Sequence, residues 1–328
     1  MKVVVLEDWN HFFPGVPSLE RLGERVAVDV QHDPPRDRAD LLARVAGAQI
    51  VVLNRERTRF DRDVIDALPG LELIVQTGGI GPNLDVAAAT ARGVAVSAGP
   101  GLPNSIEGVA ELALGLLLSL ARQIPANDRN VRAGHWQVAP TVMLNGGTMG
   151  IVGLGRLGRG LARLGQALQM AVIAAGPTLT AERAAQSGVE FVSLDDLFRR
   201  ADAAFVCTRL SERTRGLVTR QHLESMKRSA YLINVARGPI VDEAALVDVL
   251  RERRIAGAGL DVFGQEPLPV DHPLAAMDNV VLTPHIGWVQ ADNCRRFVDS
   301  VVASITAYLD GDFSKVSNPE ALAARKSR

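Results

Sequence analysis

Cysteine is scarce in this chain: two in 328 residues, Cys207 and Cys294. Two isolated thiols make neither a disulfide framework nor a metal-ligand cluster, and they suit a reducing compartment. Charge of one sign is lacking as well. The 36 Lys and Arg balance 37 Asp and Glu, for a formal net charge of −1. No long run of either sign occurs, so nothing points to a nucleic-acid or membrane surface. Long apolar stretches are missing too. The opening segment MKVVVLEDWN turns acidic too soon for a signal-peptide core. The most apolar helix candidate, Leu112 to Ala121, has about half the residues that a membrane span needs. These absences lead us to expect a cytoplasmic protein with no membrane or nucleic-acid partner. Internal repeats and low-complexity segments are also absent. What is present is a chain 47% hydrophobic and 22% charged, long enough for two ordinary domains with their own cores.

The hydrophobic pattern is that of strands alternating with helices. Lys2–Leu6, Ile50–Leu53, Leu73–Val75 and Val94–Val96 are short Val- and Ile-rich runs separated by helix-like sequence such as RADLLARVAGA. That rhythm predicts a small parallel α/β unit over residues 1–98. Gly99-Pro100-Gly101-Leu102-Pro103 breaks the pattern. Asn104-Ser105 then offers a cap for a long, mostly apolar helix, Ile106 to Arg122. A second alternating series follows. Its expected strands are Met149–Val152, Ala171–Ala174, Ala204–Cys207, Leu232–Val235, Ala258–Asp261 and Val280–Leu282. Its expected helices are Arg159–Leu168, Leu194–Arg200, Arg220–Arg228 and Glu243–Arg253. One more helix, Ala291 to Leu309, precedes a polar tail. The fold expected is therefore α/β, with two doubly wound, Rossmann-like parallel-sheet domains. The last helix returns to the first domain and makes it discontinuous: residues 1–98 with 290–328, and residues 99–289.

The second series opens on GIVGLGRLGRG, Gly150 to Gly160. Gly153, Gly155 and Gly158 follow a strand and open a helix, the context a dinucleotide-binding loop requires. Gly153 permits the tight turn, Gly155 the approach of a pyrophosphate, and Gly158 the packing of helix on strand. Arg156 and Leu157 lie between the last two, where free amide groups face a phosphate. One element is absent here also. An acidic residue should end the next strand to hold the adenosine ribose, and the chain has Ala175-Gly176 instead. A carboxylate there would repel a 2′-phosphate, and Gly176 does not. Thr178 and Arg209 are the candidates to face that phosphate; Arg183 reads as solvated surface. The expectation is NAD(P) binding with weak discrimination and a lean towards NADP.

Three further segments each follow a predicted strand of the second series: INVARGPIVDE (233–243), GLDVFGQEPLP (259–269) and LTPHIGW (282–288). Ligands of open α/β sheets bind beyond the carboxyl ends of strands. Arg237, Glu266 and His285 are thus candidates for one site. A guanidinium clamps a carboxylate with two parallel hydrogen bonds. An imidazole gives or takes a proton near neutral pH. A carboxylate beside it fixes its tautomer. Together they suit reduction of a 2-keto acid.

These segments, with PNSIEGVAELALGLLLSLAR and ADAAFVCTRLSERTRGLV, resemble the D-2-hydroxyacid dehydrogenases, the family of glyoxylate/hydroxypyruvate reductases and D-3-phosphoglycerate dehydrogenase. The resemblance covers nearly the whole chain. It implies that Arg237 binds the substrate carboxylate and carbonyl, that His285 is the general acid/base, and that Glu266 pairs with it. It implies that Val235, Ala236 and Asp261 border the cofactor, with Asp261 facing the nicotinamide amide. Thr77, Gly78 and Gly79 would contact a small 2-keto or 2-hydroxy acid, and the domains would close about hinges near residues 99 and 289. It also implies a homodimer joined through the nucleotide-binding domain, with an arm around His135-Trp136, and no metal.

The sequence departs from the family pattern at Gly176, at Arg209 where a Pro is common, and in the loop TGGIGPNLD. Trp288, directly after HIG, either lines the substrate pocket or packs against the last helix. The alternative from another class is a non-catalytic dinucleotide sensor like the C-terminal binding protein corepressors, which share this fold.

Overall fold

Five short segments rich in Val, Ile and Ala form the first sheet: β1 (Lys2–Leu6), β2 (Ala27–Val30), β3 (Ile50–Leu53), β4 (Leu73–Gln76) and β5 (Ala95–Ala98). In this computed structural model all neighbours are parallel, in the order β2-β1-β3-β4-β5. Residues 1–99, 105–137 and 139–326 are described. The inner strands are unbroken apolar runs because both faces of the sheet are covered. One face packs on Leu41, Val45, Val64 and Ile65, and the other on Val298, Val301, Val302 and Ile305 of the helix Ala291–Leu309. Three helices of this unit start on an aspartate whose side chain accepts a backbone N–H: Asp37 from Asp40, Asp61 from Val64, and Asp85 from Ala88. Such caps satisfy amide groups that have no partner inside the helix.

The segment expected to be a polar tail is structured. Ser317 donates its amide to the Val96 carbonyl at 2.7 Å. The Asn318 side chain accepts from the Val96 amide at 2.7 Å and donates to the Val94 carbonyl at 3.0 Å. A side-chain amide thus completes the edge of β5, whose backbone groups would otherwise lack partners. A helix, Glu320–Lys326, follows. Asn318 carries no hydrophobic periodicity, so the pattern could not reveal this anchor.

The second sheet contains β6 (Thr148–Val152), β7 (Ala171–Ala175), β8 (Glu190–Phe191), β9 (Ala203–Val206), β10 (Tyr231–Asn234), β11 (Gly257–Leu260) and β12 (Val280–Leu282). All are parallel, in the order β12-β11-β10-β9-β6-β7-β8. The chain winds outwards from β6 to β8, then returns to β9 on the other side of β6. That reversal is where doubly wound sheets hold ligands. β9, β10 and β11 each end one residue earlier than the sequence reading placed them. Val235 is apolar and buried like the strand before it, so apolarity gives no stop signal at the end of β10. Cys207, Val235 and Asp261 accordingly begin the loops.

By backbone proximity the chain divides into two compact units, Met1–Pro103 with Ala291–Arg328, and Asn104–Gln290. The break expected at Pro100–Pro103, the cap at Asn104 and part of the hinge near residue 99 lie outside the described residues. Among the described residues, no single helix is long and apolar enough to cross a membrane.

Candidate active site

The glycine loop is built from three separate steric demands. Gly153 has φ +99°, and a Cβ there would lie 2.9 Å from the Thr208 Cα, because the ends of β6 and β9 converge. A Cβ on Gly158 would lie 2.2 Å from the Gly153 carbonyl oxygen. Glycine is obligatory there for helix and loop to touch. Gly155 differs: a Cβ would meet nothing within 4 Å. It precedes the helix Arg156–Ala167, whose amino terminus has no side-chain cap. The helix begins at Arg156, three residues before the sequence reading placed it, so Arg156 and Leu157 form its first turn. Open space over Gly155 and an uncapped helix start suit a phosphate group. The residues present therefore fit a dinucleotide.

Beyond β7, Thr178 is exposed, and its carbonyl accepts from Arg183 Nη1 at 2.7 Å. Arg183 thus folds back onto its own loop. Arg209 is exposed in the loop after β9, and the buried Thr214 hydroxyl donates to its carbonyl at 2.7 Å.

Three strand-end loops lock together on the other half of the sheet. The loop after β10 carries Arg237, which is half-buried and donates from Nη1 to the Ala236 carbonyl at 2.7 Å. Asn234 fastens this loop by donating to the Arg237 carbonyl and accepting from the Ala236 amide, both at 3.1 Å. Gly238 follows, and a Cβ there would fall 2.0 Å from the Phe263 carbonyl group. Only glycine lets this loop lie against the loop after β11. That second loop is held by Glu243, which accepts from the Gly264 amide at 2.8 Å.

Glu266 and His285 meet at 2.6 Å, Oε2 to Nδ1. The other Glu266 oxygen accepts from the Phe263 amide at 3.0 Å. Burial acts to raise the Glu266 pKa. The hydrogen bond and charge of His285, the Phe263 amide and the Arg237 guanidinium outweigh it, and the carboxyl sits below its ordinary value. The pairing assigns a proton to His285 Nδ1, so the opposite nitrogen, Nε2, is the one left to exchange a proton. Both side chains keep about a third of their surface exposed, 29% for His285 and 31% for Glu266.

His285 adopts φ +54°, a left-handed conformation that non-glycine residues rarely hold. Asp261 explains how the chain holds it. Its carboxylate is buried and accepts from the Thr283 hydroxyl at 2.6 Å, the Ile286 amide at 2.8 Å and the Gly287 amide at 2.9 Å. Burial raises its pKa in spite of these bonds. Asp261 thus braces the histidine loop on both sides; in this structure its oxygens are engaged there. Thr283 and Glu243 are supports that the sequence did not single out; Thr283 directly follows β12, a usable signal, whereas Glu243 opens a helix nine residues beyond β10 and carries none.

Trp288 is buried at 9% exposure in the second unit. In the first unit, Thr77 is buried; its hydroxyl accepts from the Arg55 amide at 2.8 Å and lies 3.2 Å from Asn54 Oδ1. Gly78 has φ +78°, and the Arg55 guanidinium occupies the place of its missing Cβ. Gly79 is exposed. Among the described residues, no group of three or more His, Cys, Asp or Glu is placed to hold a metal ion.

The chain has matches among known proteins. Residues 114–287 match the NAD-binding domain of D-isomer specific 2-hydroxyacid dehydrogenase. The chain belongs to that family. It is 40% identical over 298 residues to a D-3-phosphoglycerate dehydrogenase of Mycobacterium tuberculosis H37Rv, which covers 90% of this chain and 55% of that protein. The chain thus spans about half the length of the D-3-phosphoglycerate dehydrogenases it matches. It is 35% identical over 325 residues to a glyoxylate reductase of Thermofilum pendens, with 95% and 93% of the two chains covered. The crystal structure of a phosphoglycerate oxidoreductase from Vibrio cholerae O395 superposes with a TM-score of 0.89 at 30% identity, covering 95% of this chain and 99% of that one. The parallel α/β architecture expected from the sequence is that of the family.

Proposed function

We propose that this protein is an NAD(P)-dependent oxidoreductase that interconverts a small 2-keto acid and the corresponding 2-hydroxy acid. The observation that carries the reading is the His285–Glu266 pair, 2.6 Å apart at the strand ends that also present Arg237. A bound nicotinamide supplies or accepts the hydride. Arg237 holds the substrate carboxylate and draws charge from the carbonyl through its paired N–H groups. His285 delivers a proton from Nε2 to the carbonyl oxygen in reduction and takes it back in oxidation. Glu266 favours the protonated ring and fixes its orientation. Gly153, Gly155, Arg156, Leu157 and Gly158 hold the pyrophosphate, with Thr178, Arg209, Val235 and Ala236 along the rest of the cofactor. Asp261 acts through the His285 loop. The substrate contacts proposed for the first unit rest on the backbone amides of Gly78 and Gly79. The names of the two kinds of relative, acting on phosphoglycerate and glyoxylate, support a small substrate. A homodimer is the proposed assembly. Exposed apolar side chains between residues 124 and 143 support it: Ile124 at 52%, Val131 at 56%, Trp136 at 77% and Met143 at 78%.

The direct experiment follows nicotinamide absorbance with glyoxylate, hydroxypyruvate, pyruvate, 2-ketobutyrate, phenylpyruvate and 2-ketoisocaproate, each with NADH and NADPH. Turnover with at least one keto acid is expected, with dissociation constants for the two cofactors within about tenfold. Cofactor binding with no turnover on any acid would replace this reading by the sensor.

Glu266→Gln should reshape the pH profile. The depressed pKa of Glu266 keeps it ionised at neutral pH, where its charge stabilises the protonated His285 ring. An amide accepts the hydrogen bond without that charge, so the charge coupling between the two side chains is lost. The alkaline limb of kcat/KM for reduction moves to lower pH, and activity near pH 8 falls more than activity near pH 6. Superimposable profiles would remove Glu266 from the proton-transfer apparatus.

A further inference from the structure

A cavity of about 530 Å³ lies at the carboxyl end of β7, lined in part by Gly176, Pro177, Ser193, Arg213 and Leu217. Arg213 is the one charged residue in this lining. It is exposed, and its guanidinium makes no hydrogen bond or ion pair with a described residue. Its loop is nevertheless fixed. The buried Thr214 hydroxyl ties Ser211 and Arg209 together at 2.8 and 2.7 Å, and the Gly216 amide donates to the Pro239 carbonyl at 2.9 Å. The acids that flank the lining segment 191–194 are already engaged. Glu190 pairs with Arg200, Asp195 with His222, and Asp196 with Arg199. Ser193 is used as a helix cap, accepting from the Asp196 amide at 3.0 Å. The one charge in the lining is therefore the positive charge of Arg213.

Gly176 is not forced on the chain by space. A Cβ there would rest 3.5 Å from the Gly153 Cα and N and 3.8 Å from the Leu179 Cβ, ordinary contact distances, and its φ lies outside the left-handed region. An aspartate could stand here, directed at the glycine loop. What its absence removes is charge.

We propose that this cavity receives the adenosine 2′-phosphate of NADP(H), read by Arg213 from the loop after β9, with Gly176 omitting the carboxylate that would repel it. The inference rests on the dinucleotide-binding reading above and names what selects within it. A guanidinium meets a phosphate through two charge-assisted hydrogen bonds, whereas the unphosphorylated ribose offers it only hydroxyls. Arg213 lies in the loop that leaves β9, the strand that flanks β6 on the side opposite β7, so the two ends of the reversal in strand order together frame the ligand.

The test is calorimetric titration of 2′,5′-ADP and 5′-AMP, and of NADPH and NADH, without any turnover. The wild-type protein is expected to bind 2′,5′-ADP more tightly than 5′-AMP. Arg213→Glu should weaken 2′,5′-ADP by roughly tenfold or more and 5′-AMP by less than about threefold. Gly176→Asp, which the available space accommodates, should weaken 2′,5′-ADP and NADPH by roughly tenfold while leaving NADH equal or tighter. Unchanged 2′,5′-ADP affinity in Arg213→Glu overturns the assignment. So does a wild-type preference of a hundredfold for NADH over NADPH, which leaves dinucleotide binding intact. Failure to bind either dinucleotide overturns the parent reading and this inference with it.

Discussion

Replacing His285 with alanine lowers keto-acid reduction by about a hundredfold or more, the usual scale for loss of a general acid/base. The loss falls on kcat, because the proton is needed as the carbonyl is reduced and not while the substrate binds. Cofactor affinity stays unchanged, since the glycine loop lies at the ends of other strands. The left-handed backbone at this position, φ +54°, introduces a second consideration. Alanine tolerates it poorly, and a strained loop could lower activity for the wrong reason. His285→Asn is the control, because asparagine accepts this conformation and still lacks a titrating group. Both variants should be equally inactive, with the asparagine form as stable to denaturant as the wild type. Full activity with a flat pH profile in either would refute the assignment of proton transfer to His285.

Arg237→Lys is expected to be nearly as harmful, lowering kcat/KM by roughly thirtyfold to a hundredfold. Lysine keeps the charge and loses the planar fork. If charge alone held the substrate, the substitution would be mild. The structure gives a geometric reason to expect otherwise. The Arg237 loop is fixed by Asn234 and pressed against the Phe263 carbonyl through Gly238, so the base of the side chain cannot shift to compensate. The guanidinium also contributes to the depressed pKa of Glu266, and a lysine ammonium on a flexible stem supports that carboxylate less well. Steady-state kinetics over a range of keto-acid concentrations checks both effects. An unchanged Michaelis constant and an unchanged turnover would refute the clamp.

The candidate site was legible wherever a residue's place follows from local position. Gly153 and Gly158 sit in a strand–loop–helix segment whose sterics demand glycine, and the structure reproduces each clash that a side chain would cause. Arg237, Glu266 and His285 stood out as candidates because each follows an apolar run that had to be a strand, and strand ends are where parallel sheets hold ligands. The role given to Asp261 shows the limit. Its position after β11 was evident, but its partners Thr283, Ile286 and Gly287 lie 22 to 26 residues onward, and only the parallel pairing of β11 with β12 brings them to its carboxylate. Asn318 is a longer-range case, reaching Val96 across 222 residues with no hydrophobic signal at all.

The sequence by itself thus determined the alternation of strands and helices, the class of fold, the glycine loop and the three candidate catalytic side chains. Periodicity and short-range sterics are properties of neighbouring residues. The left-handed turn at His285 and the bracing by Asp261 were decided only by tertiary structure. So was the placing of Arg213 and Gly176 on one cavity. Those two residues lie in loops that follow β7 and β9, strands separated by β6 in the sheet, and no local preference of either residue encodes a distance between them. That distance is set when the whole sheet pairs in register.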